Sequence, residues 1–108
     1  MANSVWFTVT IAQGQTTSAE TDLGAEYEGL MVGIPEMTGV SAAVQVAGSA
    51  GGVYFLLDKA DSSGPLALPR GRATHVTCAR GTRYIKLVSS ATEAADRTCY
   101  VKGLRFVP

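Results

Sequence analysis

The chain has 108 residues and a mass of 11.2 kDa, which suits one domain spanning residues 1–108 and leaves no room for a second. Hydrophobic residues make up 46% and charged residues only 17%, and nine Lys and Arg balance nine Asp and Glu, a neutrality that speaks against nucleic acid as a partner. No apolar run approaches the ~20 residues that cross a bilayer, and Met1-Ala2-Asn3-Ser4 lacks the basic residues and apolar core of a secretory signal, so no membrane partner is expected.

Val5-Trp6-Phe7-Thr8-Val9-Thr10-Ile11 alternates at period two, with Val5, Phe7, Val9 and Ile11 on one face, which predicts a strand. Trp6 lies on the opposite face; burial beneath a second sheet is the expectation, and an exposed anchor for another chain is the alternative. Ala12 to Glu20, rich in Gln, Thr and Ser, reads as an exposed loop. Asp22-Leu23-Gly24 reads as a turn, Leu30 to Ile34 as a strand stopped by Pro35, and Ala42 to Ala47 as another strand. Gly48-Ser49-Ala50-Gly51-Gly52 has neither the Lys nor the following helical pattern of a phosphate cradle and reads as a hairpin turn.

The nearly continuous apolar run Val53 to Asp58 predicts a central strand covered on both faces. Asp61 to Pro65 is a turn cluster, Leu66 and Leu68 a short edge strand, and Ala73 to Ala79 a weaker strand. Arg83 to Val88 follows as a strand, then a polar, Ala-rich loop from Ser89 to Asp96, and a last strand from Arg97 to about Val107. In that strand Cys99 and Val101 share one parity while Leu104 and Phe106 take the other, a slip at Gly103 that predicts a β-bulge. Seven or eight short strands with no helical period predict an all-β, antiparallel β-sandwich, of jelly-roll or immunoglobulin-like type, with almost no helix.

Catalytic and metal chemistry find little support. His75 is the sole histidine and stands beside ordinary strand residues, with no G-x-S-x-G elbow in the chain. Asp58 and Asp61 could form a carboxylate pair, but beside a Ser-Gly-Pro turn Asp more often bends backbone than cleaves sugars. His75, Cys78 and Cys99 fall short of the four clustered ligands of a structural zinc site. The expectation is therefore a protein that is not an enzyme, with no cofactor and no metal. Two buried free thiols are expected, with a Cys78–Cys99 disulfide as the alternative. Tyr27, Tyr54, Tyr84 and Tyr100 could build a sugar platform, though three of them fall within strands, where packing is the default.

The zero net charge conceals opposed halves. Residues 1–57 carry Glu20, Asp22, Glu26, Glu28 and Glu36 and no base, for −5, while residues 58–108 carry nine bases against Asp58, Asp61, Glu93 and Asp96, for +5. These charges either cancel across neighbouring strands or form complementary edges on separate copies.

The strand at the N-terminus, Thr21-Asp22-Leu23-Gly24, Gly29 to Pro35, Val44 to Ser49, Phe55-Leu56-Leu57-Asp58, Arg83 to Ser90 and Asp96-Arg97-Thr98 together resemble small tailed-phage virion proteins of the decoration, cement or minor structural kind. The resemblance spans most of the chain as a pattern of strands and turns. The segment Pro35-Glu36-Met37-Thr38-Gly39 departs from it, where a more apolar, often Trp-bearing loop is expected. It implies a protein with no catalytic residues, made in the host cytoplasm and placed on the capsid surface of the virion. Its partner would be the major capsid protein lattice, with self-association as a dimer or trimer on the shell. Arg70, Arg72, Arg80, Arg83 and Trp6 are the candidate partner-binding residues, and the Gln13–Ala19 loop is expected to order on a neighbouring subunit. A tail, neck or head-fibre component and a glycan-binding sandwich for host attachment are the alternatives.

Overall fold

A computed structural model describes residues 5–59, 64–76 and 81–105; Asp61, Cys78, Arg80 and Phe106 lie outside the described residues. Among the described residues there are nine strands: β1 (Trp6–Ile11), β2 (Thr21–Tyr27), β3 (Gly29–Ile34), β4 (Ser41–Ala47), β5 (Phe55–Leu56), β6 (Leu68–Pro69), β7 (Arg72–Val76), β8 (Thr82–Ser89) and β9 (Arg97–Leu104). No helix occurs among the described residues. A front sheet has the order β1-β9-β3-β7 and a back sheet the order β2-β8-β4-β5, with β6 pairing beside β4. Every ladder is antiparallel. With the two-residue β6 set aside, the first, eighth, third and sixth strands form one sheet and the second, seventh, fourth and fifth the other, which is the jelly-roll order.

Alternation places the core between the sheets. Val9, Ile11, Leu30, Val32, Ile34, Val76, Cys99 and Val101 project from the front sheet onto Leu23, Tyr27, Ala42, Val44, Leu68, Ile85 and Leu87 behind it. Full burial of one such aliphatic side chain contributes about 1.5–3 kcal/mol. The back sheet is less regular than the front one. Between Asp22 and Tyr27 the pairing of β2 with β8 shifts register, and Gly24 takes φ +85 with its N–H donating to Asp22 Oδ1 at 2.8 Å.

Four expectations are corrected. Asp22-Leu23-Gly24 lies inside β2, because Leu23 and Tyr27 reach the core at matching parity despite the irregular backbone between them. The Val53–Asp58 run is not a central strand. Phe55 and Leu56 pair with Val46 and Gln45 at the edge of the back sheet and Asp58 bridges Pro65, and Val53, Phe55 and Leu56 stand 72%, 67% and 49% exposed. Gly103 forms no bulge: β9 pairs with β3 without interruption from Tyr100 to Leu104. Gly103 faces inward, and a Cβ there would overlap the Tyr27 ring. The residue is small because an aromatic ring occupies its side-chain space. The Gln13–Ala19 segment is already docked, with Thr17 bridging Val88, the Ser18 N–H donating to Leu87 O at 2.9 Å and the Ser18 hydroxyl accepting from Leu87 N at 2.9 Å.

One buried carboxylate closes an end of the sandwich. Glu93 is 1% exposed and accepts hydrogen bonds from Thr38 N (2.9 Å), Gly39 N (3.0 Å), Ser89 Oγ (2.6 Å) and Arg97 Nε (2.9 Å). Its backbone joins the 13–15 loop through Gly14 N to Glu93 O at 2.9 Å and Glu93 N to Gln15 O at 3.0 Å. Burial raises its pKa, but the hydrogen bonds from Ser89, Gly39, Thr38 and Arg97 outweigh that and hold it at about 2. Cys99 is a free, buried thiol whose pKa burial and the Glu93 charge push up to about 11.

Candidate functional site

The two outer faces of the sandwich differ in chemistry. On the back sheet, charges from the two halves of the sequence meet. Arg83 grips Asp22 through two hydrogen bonds of 2.8 and 3.1 Å and lies over the Tyr84 ring at 5.1 Å. The hydrogen bond from Arg83 and that from Gly24 N lower the Asp22 pKa, and Asp22 in turn raises that of Arg83. Tyr54 donates to Glu20 at 2.5 Å, and Lys86 sits 4.5 Å above the Tyr54 ring. The bonds from Tyr54 and Gly51 N lower the Glu20 pKa; burial, then Glu20, push the Tyr54 hydroxyl well above its ordinary range. At the β6–β7 turn, Arg70 pairs with Glu36 at 3.6 Å and donates to Met37 O at 2.9 Å. Part of the acidic half is thus neutralised by the basic half within one molecule.

The front sheet is different. Its register aligns Trp6, Lys102, Met31 and His75 in one outward row and Thr8, Tyr100, Gly33 and Ala73 in the next, with Thr10 opposite Thr98 beyond them. None of these residues is acidic. Trp6 and Tyr100 are 49% and 48% exposed, so the expected burial of Trp6 is corrected: the second sheet covers the Val9 and Ile11 face and leaves the Trp6 face open. Trp6 and Tyr100 sit on adjacent strands as diagonal neighbours, close enough to flank one depression. Gly33 is its floor, and the space of about 450 Å³ between the three residues is lined almost wholly by carbon. It continues as a shallower trough of about 310 Å³ past Ile34 and Pro35 to Gly71, Arg72 and Ala73. A Cβ on Gly33 would meet Tyr100 no closer than 3.8 Å, so glycine leaves room on this face without being required by the fold. Lys102 stands 5.8 Å above the Trp6 ring at one end. At the other end lie Gly71 and Arg72, but Arg72 pairs with the buried Ile34, which gives it the parity of the inner face and not of the outward rows.

A larger cleft of about 580 Å³ opens where β2 leaves β8, between Gly24–Glu26, Ala47–Ser49 and Gly81–Tyr84. Its walls are polar, and its cation, Arg83, is already engaged by Asp22. The carbon-lined trough on the front sheet is therefore the stronger candidate for recognition, because contact there removes apolar surface from water with little polar desolvation.

The five candidate residues do not form one patch. Trp6 flanks the front-sheet trough, while Arg72 borders its far end but pairs with the inward Ile34. Arg70 is held by Glu36, Arg83 is on the back sheet, and Arg80 lies outside the described residues. Sequence reasoning missed Gly33 as a site residue, and weighed Tyr100 for a sugar platform with packing as the default, whereas it is half-exposed. A glycine inside an otherwise regular strand was the available signal, since it marks a place where something approaches the backbone. His75 points outward and Cys99 inward, on opposite faces of the front sheet, so they cannot share a metal ion. Tyr27 is buried in the core, and Tyr54 and Tyr84 are partly buried on the back sheet. No family model, curated protein or solved structure matches the chain.

Proposed function

We propose that this chain is a non-enzymatic structural protein of a virion, a capsid decoration or cement protein, and that it docks on protein through the outer face of its front sheet. The observation that carries the docking part is the acid-free face on which Trp6 and Tyr100 flank a carbon-lined depression over Gly33. An apolar depression with the Lys102 cation at the Trp6 end suits a protein surface that offers an apolar side chain beside a carboxylate. The virion part rests on the resemblance of strands and turns described above, and on fold-level analogy, since jelly rolls recur in viral shells and also in lectins. The partner on this reading is the major capsid protein lattice. Repetition of one modest contact over many lattice sites then supplies avidity.

Quantitative mass spectrometry of purified source virions, scaled to the major shell protein, tests the proposal. Copies in the hundreds support a lattice-bound protein, a handful moves it to a tail, neck or head fibre, and none removes it from the virion. A second reading, a glycan-binding module, is favoured by the same two half-exposed aromatics, whose faces can stack on a pyranose ring. Titration with a panel of free oligosaccharides, followed by the emission of the sole tryptophan, separates the two, because docking on protein predicts no saturable shift.

A further inference from the structure

Among the described residues the two sheets end in four edges, and three of them carry features that discourage further pairing. β2 breaks register against β8, turns at Gly24 with φ +85, and carries Asp22 and Glu26. β5 and β6 are two residues each, and β6 contains Pro69. β7 opens with the exposed Arg72. β1 is the exception. Its six residues pair with β9 without a break, include no charge, proline or glycine, and are all aromatic or β-branched. Among the described residues no strand pairs with its other side.

The core also thins at this edge. Phe7 shares the inward parity of the buried Val9 and Ile11, yet it is only partly buried. A strand laid beside β1 supplies partners for its outward amide and carbonyl groups and covers Phe7 with an inward side chain. A second copy of β1 meets both needs. Run antiparallel about a two-fold axis at Thr8, it sets Thr8 opposite Thr8, Trp6 opposite Thr10 and Phe7 opposite Val9, so every paired residue keeps its face of the sheet. The outward pairs are then Thr with Thr and aromatic with β-branched, both favourable across strands. No charge on β1 is brought against its like, and the zero net charge lowers the long-range cost of bringing two copies together.

We propose that β1 pairs with β1 of a second copy of this chain and joins the two front sheets into one continuous sheet. The contact goes beyond the docking reading above, because it uses the edge of the front sheet and not its outer face. It is isologous and occupies the edge on both copies, so association stops at the dimer. The two-fold axis stands across the sheet and leaves both Trp6 depressions on the same side. Each Trp6 lies four residues along the strands from its counterpart, which at about 3.4 Å per residue sets them about 14 Å apart. A dimer thus presents two outer faces in one plane, an arrangement suited to bivalent docking.

Two short paired strands make a small interface, so the dimer is weak and its test reaches high concentration. Sedimentation velocity from about 10 μM to about 1 mM is read together with amide hydrogen exchange in β1. Wild type is expected to pass from monomer to dimer and no further, with exchange in β1 slowing as concentration rises. Thr8→Lys and Thr8→Glu each set like charges opposite one another at the two-fold axis, on an exposed residue; circular dichroism confirms that both fold. Each alone is expected to weaken the dimer by at least about tenfold, and their equimolar mixture to restore it, because Lys then faces Glu. Gly33→Glu, which fills the depression on the outer face at a position with room for a side chain, is expected to dimerise within about twofold of wild type. A wild type that stays monomeric to about 1 mM, a mixture that fails to recover the dimer, or a Gly33→Glu protein that has lost it overturns the proposal. None of these outcomes depends on what the outer face binds, so the docking reading stands or falls separately by shell attachment.

Discussion

Replacement of Glu93 by Gln tests whether one buried carboxylate holds three loops together. The side chain is fully enclosed and meets four donors, two from the 38–39 backbone, one from Ser89 and one from the partly buried Arg97. Its pKa falls from an ordinary 4.5 to about 2 in the folded protein, which at about 1.4 kcal/mol per pH unit corresponds to about 3 kcal/mol of stability at neutral pH. Because the folded value is depressed, this contribution is present above pH 4.5 and is lost as pH falls toward about 2. Gln keeps the shape but removes the charge, and its amide donors face N–H groups that need acceptors, leaving Arg97 without a counter-charge. Urea titration at pH 7 is expected to show Glu93→Gln less stable by about 3 kcal/mol, equivalent to about 10–20 °C in Tm for a domain of this size. The gap between the two proteins is expected to narrow steadily from pH 5 to pH 2.5, because protonated wild type comes to resemble the variant. A gap below about 1 kcal/mol at pH 7, or one that does not change with pH, refutes the reasoning.

Gly103→Ala is expected to destabilise by about 1–3 kcal/mol through overlap with the Tyr27 ring, whereas Gly33→Ala, with space above it, stays close to wild type in thermal unfolding. Cys99, in a Cys78→Ser background, is expected to resist Ellman's reagent in the native protein at pH 8 and to react on unfolding, since burial and Glu93 hold its thiol at about 11; rapid native reaction contradicts the packing. In a shell-attachment assay, Lys102→Glu, on the outward row beside Trp6, is expected to weaken binding by at least about tenfold, while the exchanged pair Asp22→Arg with Arg83→Asp stays within about twofold, because Arg83 already serves Asp22. Equal losses in the two proteins contradict the assignment of the front face.

What the sequence reveals depends on whether a residue's local pattern and its tertiary setting agree. In β1, β3, β4 and β8 they do: alternating β-branched residues face a covered core on one side, and period two reads directly as a strand. β2 is hidden because Asp22 and Gly24 carry turn chemistry inside a strand whose pairing is interrupted there. The Val53–Leu57 run misleads for a different reason. Periodicity reports that residues are apolar, and an exposed edge can have the same composition as a strand covered twice. Gly103 mimics a bulge because parity shows only that the inward position lacks a large side chain, and the occupant, Tyr27, comes from another strand. Glu93 leaves no local signal, since its partners converge from Thr38, Gly39, Ser89 and Arg97 only once the end of the sandwich has closed. For the candidate site, the outward parity of Trp6 was legible but its exposure was not. Tyr100 and Gly33 meet Trp6 only through the β1-β9-β3 order, which no single strand encodes.

The position of β9 bears on how the protein is made. β9 lies between β1 and β3 and pairs with both, so the front sheet cannot close until residues 97–104 have left the ribosome. Until then β1 and β3 each expose a strand edge with apolar side chains beside it, a state prone to pair with neighbouring nascent chains. Loop closure across nearly the whole sequence must precede the gain from that pairing, which makes final folding slow for a domain of this size. Synthesis at high copy number therefore exposes this chain to aggregation in the interval before β9 inserts, and substitutions that weaken β9 should lower soluble yield more than they lower the stability of the folded protein.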